Sequence, residues 1–203
     1  MLTFEYLQIF WLFLLPVFAW MLSTHQELTE LALRKEGFSN DAIKLVVKGN
    51  LEVDFHPSIQ GIIRWIFATL GLVDTELHGT SKLFVYDSGW KQKSEEARNN
   101  AIEAAIKAVQ ADKLGQALKL LGRALHIQQD ICGHRGTTLF NHWLRVRTFD
   151  NITKNEAGYK AAKEKTQSMI KLFLSSIDEA KAKAIKEFNI SIGTMKGYKK
   201  AQE

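Results

Sequence analysis

The sequence predicts an all-α protein, folded as a single-domain helical bundle. Residues that begin and end helices recur at helix-length intervals, and between them apolar residues repeat at steps of three and four. No stretch alternates apolar and polar residues convincingly with the two-residue period of a β-strand. The chain has 203 residues, 46% of them apolar, which is enough for one well-buried core and argues against two domains.

The first nineteen residues differ in composition from the rest of the chain. Residues 10–18 are apolar throughout, Pro16 breaks the run near its end, and residues 17–19 resemble a small-residue cleavage site. The pattern predicts a signal peptide over residues 1–19, an exported protein and a mature helical domain over residues 20–203. Because Glu5 is present and no Lys or Arg precedes the apolar run, an uncleaved membrane anchor and a buried first helix stay open as alternatives.

Two short helices are predicted next. Thr24 to Glu27 has the form of a capping box, which satisfies two backbone donors at a helix start, and Gly37 is expected to end that helix. Ser39 is the predicted N-cap of the second helix, which Gly49 is expected to stop.

A third helix and a long loop are predicted after these. Pro57 stands just before Ser58 to Leu70, which fits a helix because proline is tolerated in a first turn. Gly71 to Gly89 shows no clear periodicity and is predicted to be a loop, where binding residues tend to lie.

The second half of the chain predicts longer helices. Ser94 is expected to cap an Ala-rich helix that runs to about Ala111, and Asp112 to open the next one. The core stripe predicted for that helix consists of Leu114, Leu118, Leu121 and Leu125. One long Lys- and Ala-rich helix is predicted from about Asn155 to Phe188, with a frayed or packed C-terminal helix after it. Its predicted apolar seam consists of Met169, Leu172, Phe173 and Ile177.

His126, Asp130 and His134 are the first candidates for a functional site. They are spaced by four residues, so on an α-helix they fall within about 40° of one another step by step and can face one cleft. The alternative is one core and one surface histidine, with Asp130 in a salt bridge to Arg123 or Arg135.

The residue types predict a transition metal ion. All six histidines precede residue 143, and Cys132 is the only cysteine, so neither an internal disulfide nor a cysteine-based zinc site can form. Imidazole and carboxylate ligands suit zinc, with manganese or iron as substitutes. No HExxH motif and no Glu-x-x-His pair occurs, which excludes one type of zinc protease and the di-iron bundles. The net charge of +5 fits either an anionic partner or a solvated helix face.

The segment Leu121 to Asp130, with His134 after it, resembles the LGxALHxxQDxxxH helix of the zinc-dependent phospholipase C family. That family shares its helical fold with the single-strand-specific zinc nucleases. Two further segments are similar to it: Trp20 followed by His25, and Asn50 to Asp54. The resemblance implies up to three zinc ions, with Asp130 bridging two of them.

The resemblance also implies the ligands. They are Trp20, through the amine that signal cleavage would create, and His25, Asp54, His78, His126, Asp130, His134 and His142. Asp54 would also orient the attacking water or accept its proton, as the catalytic residue. Val146 stands where the family has an acid, so Asp150 is a substitute to consider, and His56 could replace His78.

The implied function is hydrolysis of phosphate esters, of the phospholipase C type. The expected substrate is a phosphodiester, with phospholipid and contact with a membrane surface as the first choice and single-stranded nucleic acid as the alternative. A non-catalytic, metal-stabilised exported interaction module is a third possibility. The aromatic residues that could contact a substrate, or else belong to the core, are Phe55, Trp65, Phe84, Tyr86, Trp90 and Trp143.

Overall fold

The computed structural model describes residues 23–54, 88–134 and 155–190. These residues form six helices and no strand, which confirms the all-α prediction. The helices are α1 (23–35), α2 (Asn40–Asp54), α3 (Trp90–Gln110), α4 (Leu114–His134), α5 (Glu156–Ser175) and α6 (Glu179–Lys186).

Helix α4 is the centre of the described bundle, since α2, α3 and α5 all pack against it. Its predicted leucine stripe is confirmed: Leu118, Leu121 and Leu125 are fully buried, and Leu114 packs partly buried against the same core. With apolar helices on several sides, α4 also buries most of its polar residues after position 125. Any polar side chain there needs a partner inside the protein.

The α2 and α4 backbones cross in close contact at two glycines. A Cβ on Gly122 would overlap the carbonyl oxygen of Val46, and a Cβ on Gly49 would overlap the carbonyl oxygen of Lys119. The prediction that Gly49 stops its helix is therefore wrong, because α2 continues to Asp54. Gly49 provides space for the neighbouring backbone rather than a helix end.

The predicted signals between α1 and α2 are confirmed. Gly37 has a positive φ of 80°, and the Phe38 amide donates to the Leu33 carbonyl at 3.1 Å, which closes the end of α1. The Ser39 hydroxyl accepts a hydrogen bond from the Ala42 amide at 3.1 Å, as an N-cap does.

Three other predicted helix starts are wrong. Thr24 lies inside α1, which is already helical at residue 23. Ser94 lies buried in the second turn of α3, which begins at Trp90 because that side chain packs beside the apolar residues of α4. Asp112 has a φ of 57° and ends α3 instead of opening α4, in a left-handed conformation that aspartate tolerates.

The predicted long helix is two helices. Residues 176–178 separate α5 from α6, where the Asp178 carboxylate accepts a hydrogen bond from the Lys181 amide at 2.8 Å and so starts a new helix. The break lets Ile185 of α6 enter the core. Within α5, Met169 and Phe173 are buried as predicted, whereas Leu172 is 61% exposed and was wrongly placed in the seam.

Several predictions lie outside the described residues. They are the leader at residues 1–19, the third helix at 58–70, most of the loop at 71–89 and the C-terminal segment beyond residue 190. Within the described ranges, no helix has both the length and the apolar character that crossing a bilayer requires.

Candidate metal centre

Helix α4 places His126, Asp130 and His134 together, as their spacing predicts. Their exposed fractions are 0%, 2% and 2%. The alternative in which one histidine lies on the surface is therefore wrong. Because they are one turn apart on the same helix, the backbone alone fixes their common face.

Helix α1 adds a second histidine to the Asp130 carboxylate. His25 Nε2 lies 3.1 Å from Asp130 Oδ1, and His126 Nε2 lies 3.1 Å from Oδ2. His134 Nε2 is more distant, at 3.7 Å from Oδ1. Three imidazoles from two helices thus converge on one buried carboxylate.

Two amide side chains lie behind the histidines. His25 Nδ1 is 2.7 Å from Gln129 Oε1, and His126 Nδ1 is 3.4 Å from Asn50 Oδ1. An amide oxygen only accepts hydrogen bonds, so each Nδ1 in this arrangement carries the ring proton. A neutral ring protonated at Nδ1 directs the lone pair of its Nε2 toward Asp130.

A lone pair facing a carboxylate oxygen is repulsive unless a positive charge lies between them. Protonating both rings would place two cations face to face, because the His25 and His126 rings stack with centroids 4.4 Å apart and planes inclined by 25°. A single divalent cation would satisfy both nitrogens and the carboxylate together. The ligand chemistry therefore fits a metal ion.

The charge state of Asp130 suits the same role. Burial opposes its ionisation and by itself raises its pKa, but positive charge on protonated His134, His126 and His25, together with a hydrogen bond from His126, outweighs burial and holds the pKa well below its usual range. Asp130 is thus an anion in this environment, as a metal ligand has to be.

The distances permit shared coordination. Suitable ligand atoms of His25, His126 and Asp130 all lie within 4.8 Å of one another. Two ligands of a tetrahedral zinc ion, each about 2.0–2.2 Å from it, are separated by roughly 3.3 Å, and the two closest nitrogen–oxygen distances here are 3.1 Å. These three residues, with His134 beside them, could hold a metal ion.

No protein-family model, curated protein or solved structure matches this chain. The resemblance to the phospholipase C family accordingly stays a prediction made from residues. What the structure adds is that His25, which is 101 positions from His126, reaches the same carboxylate.

Three other predicted ligands lie outside the described residues, namely Trp20, His78 and His142. The alternatives His56 and Asp150 also lie outside them.

Asp54 is the last residue of α2, and its side chain is outside the described set, so its catalytic role stays a prediction. Among the candidate substrate-contacting aromatics only Trp90 is described, and it packs partly buried beside Ile127 and Ile131, as a core residue does.

Sequence reasoning missed Gln129 and assigned no role to Asn50, although both stand in the matched segments. One signal was available for Gln129. It lies four residues after Leu125, a predicted core position, so a buried polar residue was to be expected there.

Proposed function

We propose that this protein is an exported zinc-dependent hydrolase of phosphate esters, similar in activity to phospholipase C. The observation that carries the proposal is the convergence of His25, His126 and His134 on the buried carboxylate of Asp130. Neutral imidazole and carboxylate are the ligands that zinc prefers when cysteine is absent.

The chain's own residues would divide the work between them. His25 and His126, oriented from behind by amide oxygens, would hold the ion together with Asp130, and His134 would contribute to the same site or to a neighbouring ion. When bound, zinc would supply a Lewis acid that polarises a phosphoryl oxygen of the substrate.

Asp54 is the proposed residue to orient the attacking water or accept its proton. Two observations support a position near the centre. Asp54 ends the same helix that carries Asn50, one turn earlier, and the Asn50 side chain contacts His126.

The proposed substrate is a phosphodiester, with phospholipid as the first choice and single-stranded nucleic acid as the alternative. The net charge of +5 is compatible with an anionic substrate or membrane surface in both cases. Specificity would then depend on residues 71–89 and their aromatic side chains.

Metal analysis and a panel of phosphodiesters test this function. The purified protein should contain zinc, release a phosphorylated head group from phospholipid vesicles, lose that activity with a chelator and regain it with added zinc. Cleavage of single-stranded nucleic acid with phospholipid left untouched would favour the nuclease. Sequencing the N-terminus of the exported protein shows whether Trp20 becomes the first residue and gains the amine of a ligand.

A second candidate is a non-catalytic module in which the metal stabilises the fold. The complete burial of His126 and the near-complete burial of His25, Asp130 and His134 favour it, since a structural site needs no access for a substrate. Chelation would then lower the melting temperature of a protein that hydrolyses none of the tested esters.

A further inference from the structure

Gln129 lies at the centre of a buried hydrogen-bond network that joins four helices. Its Oε1 accepts hydrogen bonds from His25 Nδ1 at 2.7 Å and from Asn50 Nδ2 at 3.1 Å. Its Nε2 donates to the hydroxyls of Thr29 at 3.0 Å and Thr166 at 3.3 Å. These residues belong to α1, α2, α4 and α5, so the position of one amide depends on how all four helices pack.

Asn50 completes the network on the side of His126. Its Nδ2 donates to Thr29 at 3.0 Å and to Gln129, which leaves Oδ1 as the group that faces His126 Nδ1. Both metal-facing histidines therefore have an amide oxygen behind them.

Two orientations of the amide pair satisfy its hydrogen bonds, and they differ at the histidines. In the observed orientation the Thr29 oxygen accepts from both Asn50 and Gln129, which its two lone pairs allow. If both amides were turned over, Gln129 would donate to Asn50 and accept from the threonine hydroxyls, but each histidine Nδ1 would face an NH2 group and its ring proton would move to Nε2. Turning only one amide over would set the two amides donor against donor or acceptor against acceptor. The observed orientation is therefore the one that leaves both Nε2 lone pairs available to a metal ion.

We propose that Gln129, together with Asn50, is a positioning residue that holds His25 and His126 in the tautomer protonated at Nδ1. This inference rests on the proposed metal centre and deepens it. In that tautomer both Nε2 lone pairs face Asp130 and are available to a metal ion without rearrangement. Partners of this kind behind a ligating histidine typically change metal affinity 10–100-fold when they are removed.

Gln128 offers a matched control on the same helix. It is nearly as buried as Gln129, with exposed fractions of 5% and 3%. Its hydrogen bonds, however, go to other groups, with Arg98 donating to its Oε1 at 2.7 Å and its Nε2 directed at Cys132 Sγ at 3.3 Å. Replacing Gln129 with leucine therefore removes the partner of His25, whereas replacing Gln128 with leucine leaves that partner in place.

The experiment combines histidine tautomers with zinc affinity in the purified protein. Long-range proton–nitrogen correlation spectra of the metal-free wild type should show His25 and His126 protonated at Nδ1. Competition with a chelating dye should show zinc binding weakened about 10–100-fold in Gln129→Leu and little changed in Gln128→Leu. Gln129→Glu should restore binding, because its carboxylate still accepts from His25 and both threonine hydroxyls can turn to donate to it.

Two results would overturn the positioning role. One is a wild-type spectrum with His25 protonated at Nε2 and not at Nδ1, which holds as a test even if Gln129→Leu fails to fold. The other is a folded Gln129→Leu that binds zinc as tightly as Gln128→Leu. A wild type that binds no zinc overturns the proposed function instead, and the tautomer spectrum, which needs no metal, then decides the role of Gln129.

Discussion

The carboxylate of Asp130 is contacted by histidines from two helices, so this one side chain links α1 to α4 at the proposed metal centre. Asp130→Asn keeps the shape of the side chain and removes its charge. We expect zinc affinity to fall by more than the roughly 10–100-fold typical of an outer partner, and hydrolytic activity to disappear with it. Metal analysis after dialysis, together with the phosphodiester assay, measures both.

Asp112→Asn is the control for that change. Asp112 is also an aspartate of the described chain, but its side chain is 85% exposed and pairs with Lys181. Its positive φ is one that asparagine adopts readily. We expect this variant to bind zinc and to melt like the wild type, whereas an active, zinc-loaded Asp130→Asn would refute the assignment of Asp130.

Gly122 controls how closely two helices approach. In Gly122→Ala the new methyl group would overlap the Val46 carbonyl oxygen and crowd the backbone nitrogen of Asn50, so α2 must move away from α4. Overpacking of this kind costs about 1–3 kcal/mol of the free energy of unfolding. Because α2 carries Asn50, zinc binding should weaken as well. Urea unfolding and dye competition measure the two effects.

Gly133 is the matched control within the same helix. A Cβ at Gly133 meets no atom of the described residues within 4 Å. Gly133→Ala should therefore be neutral or stabilising by about 0.5–1 kcal/mol, as alanine is in an open helical position. Equal loss of stability in the two variants would mean that the crossing does not depend on Gly122.

Asn155 connects the start of α5 to the end of α4. Its Oδ1 accepts from the Gly158 amide at 3.2 Å, and its Nδ2 donates to the Gly133 carbonyl at 3.2 Å, next to His134. Asn155→Ala should cost about 1 kcal/mol as a lost N-cap. Asp178→Ala is the control, because it removes the N-cap of α6 and should leave zinc affinity unchanged. A fall in zinc affinity in Asn155→Ala but not in Asp178→Ala would show that Asn155 also positions α4.

Across the whole molecule, the sequence was most informative where one helix decides the geometry. His126, Asp130 and His134 share a helix, and their period alone placed them on one face. His25 was predicted to belong to the same site only through the family resemblance, because its contact with Asp130 depends on how α1 packs in the bundle.

Glycine and capping signals failed where helix packing outweighs local preference. Gly49 has the pattern of a helix stop, yet it lies within α2 and permits the close contact of α2 with α4. Ser94 has the pattern of an N-cap, yet α3 begins one turn earlier, at Trp90, which packs against the core. The network of Gln129 joins residues as far apart as Thr29 and Thr166, which no local pattern links.

Zinc should also govern the stability of the whole bundle. An ion that binds only the folded chain adds about 2.7 kcal/mol to the free energy of unfolding at one hundred times its dissociation constant. For a domain of this size that corresponds to a rise in melting temperature of roughly 5–10 °C. Scanning calorimetry should show this rise when zinc is added to the chelated wild type.

The same titration of Asp130→Asn separates specific binding from general effects of the ion. Its melting temperature should not respond to zinc, because the carboxylate that neutralises the ion is gone, while Asp112→Asn should respond like the wild type. A wild type whose melting temperature is unmoved by zinc would contradict the metal centre itself. Convergence of His25, His126 and His134 on Asp130 would then be a buried polar cluster that stabilises the fold through its own hydrogen bonds and charges.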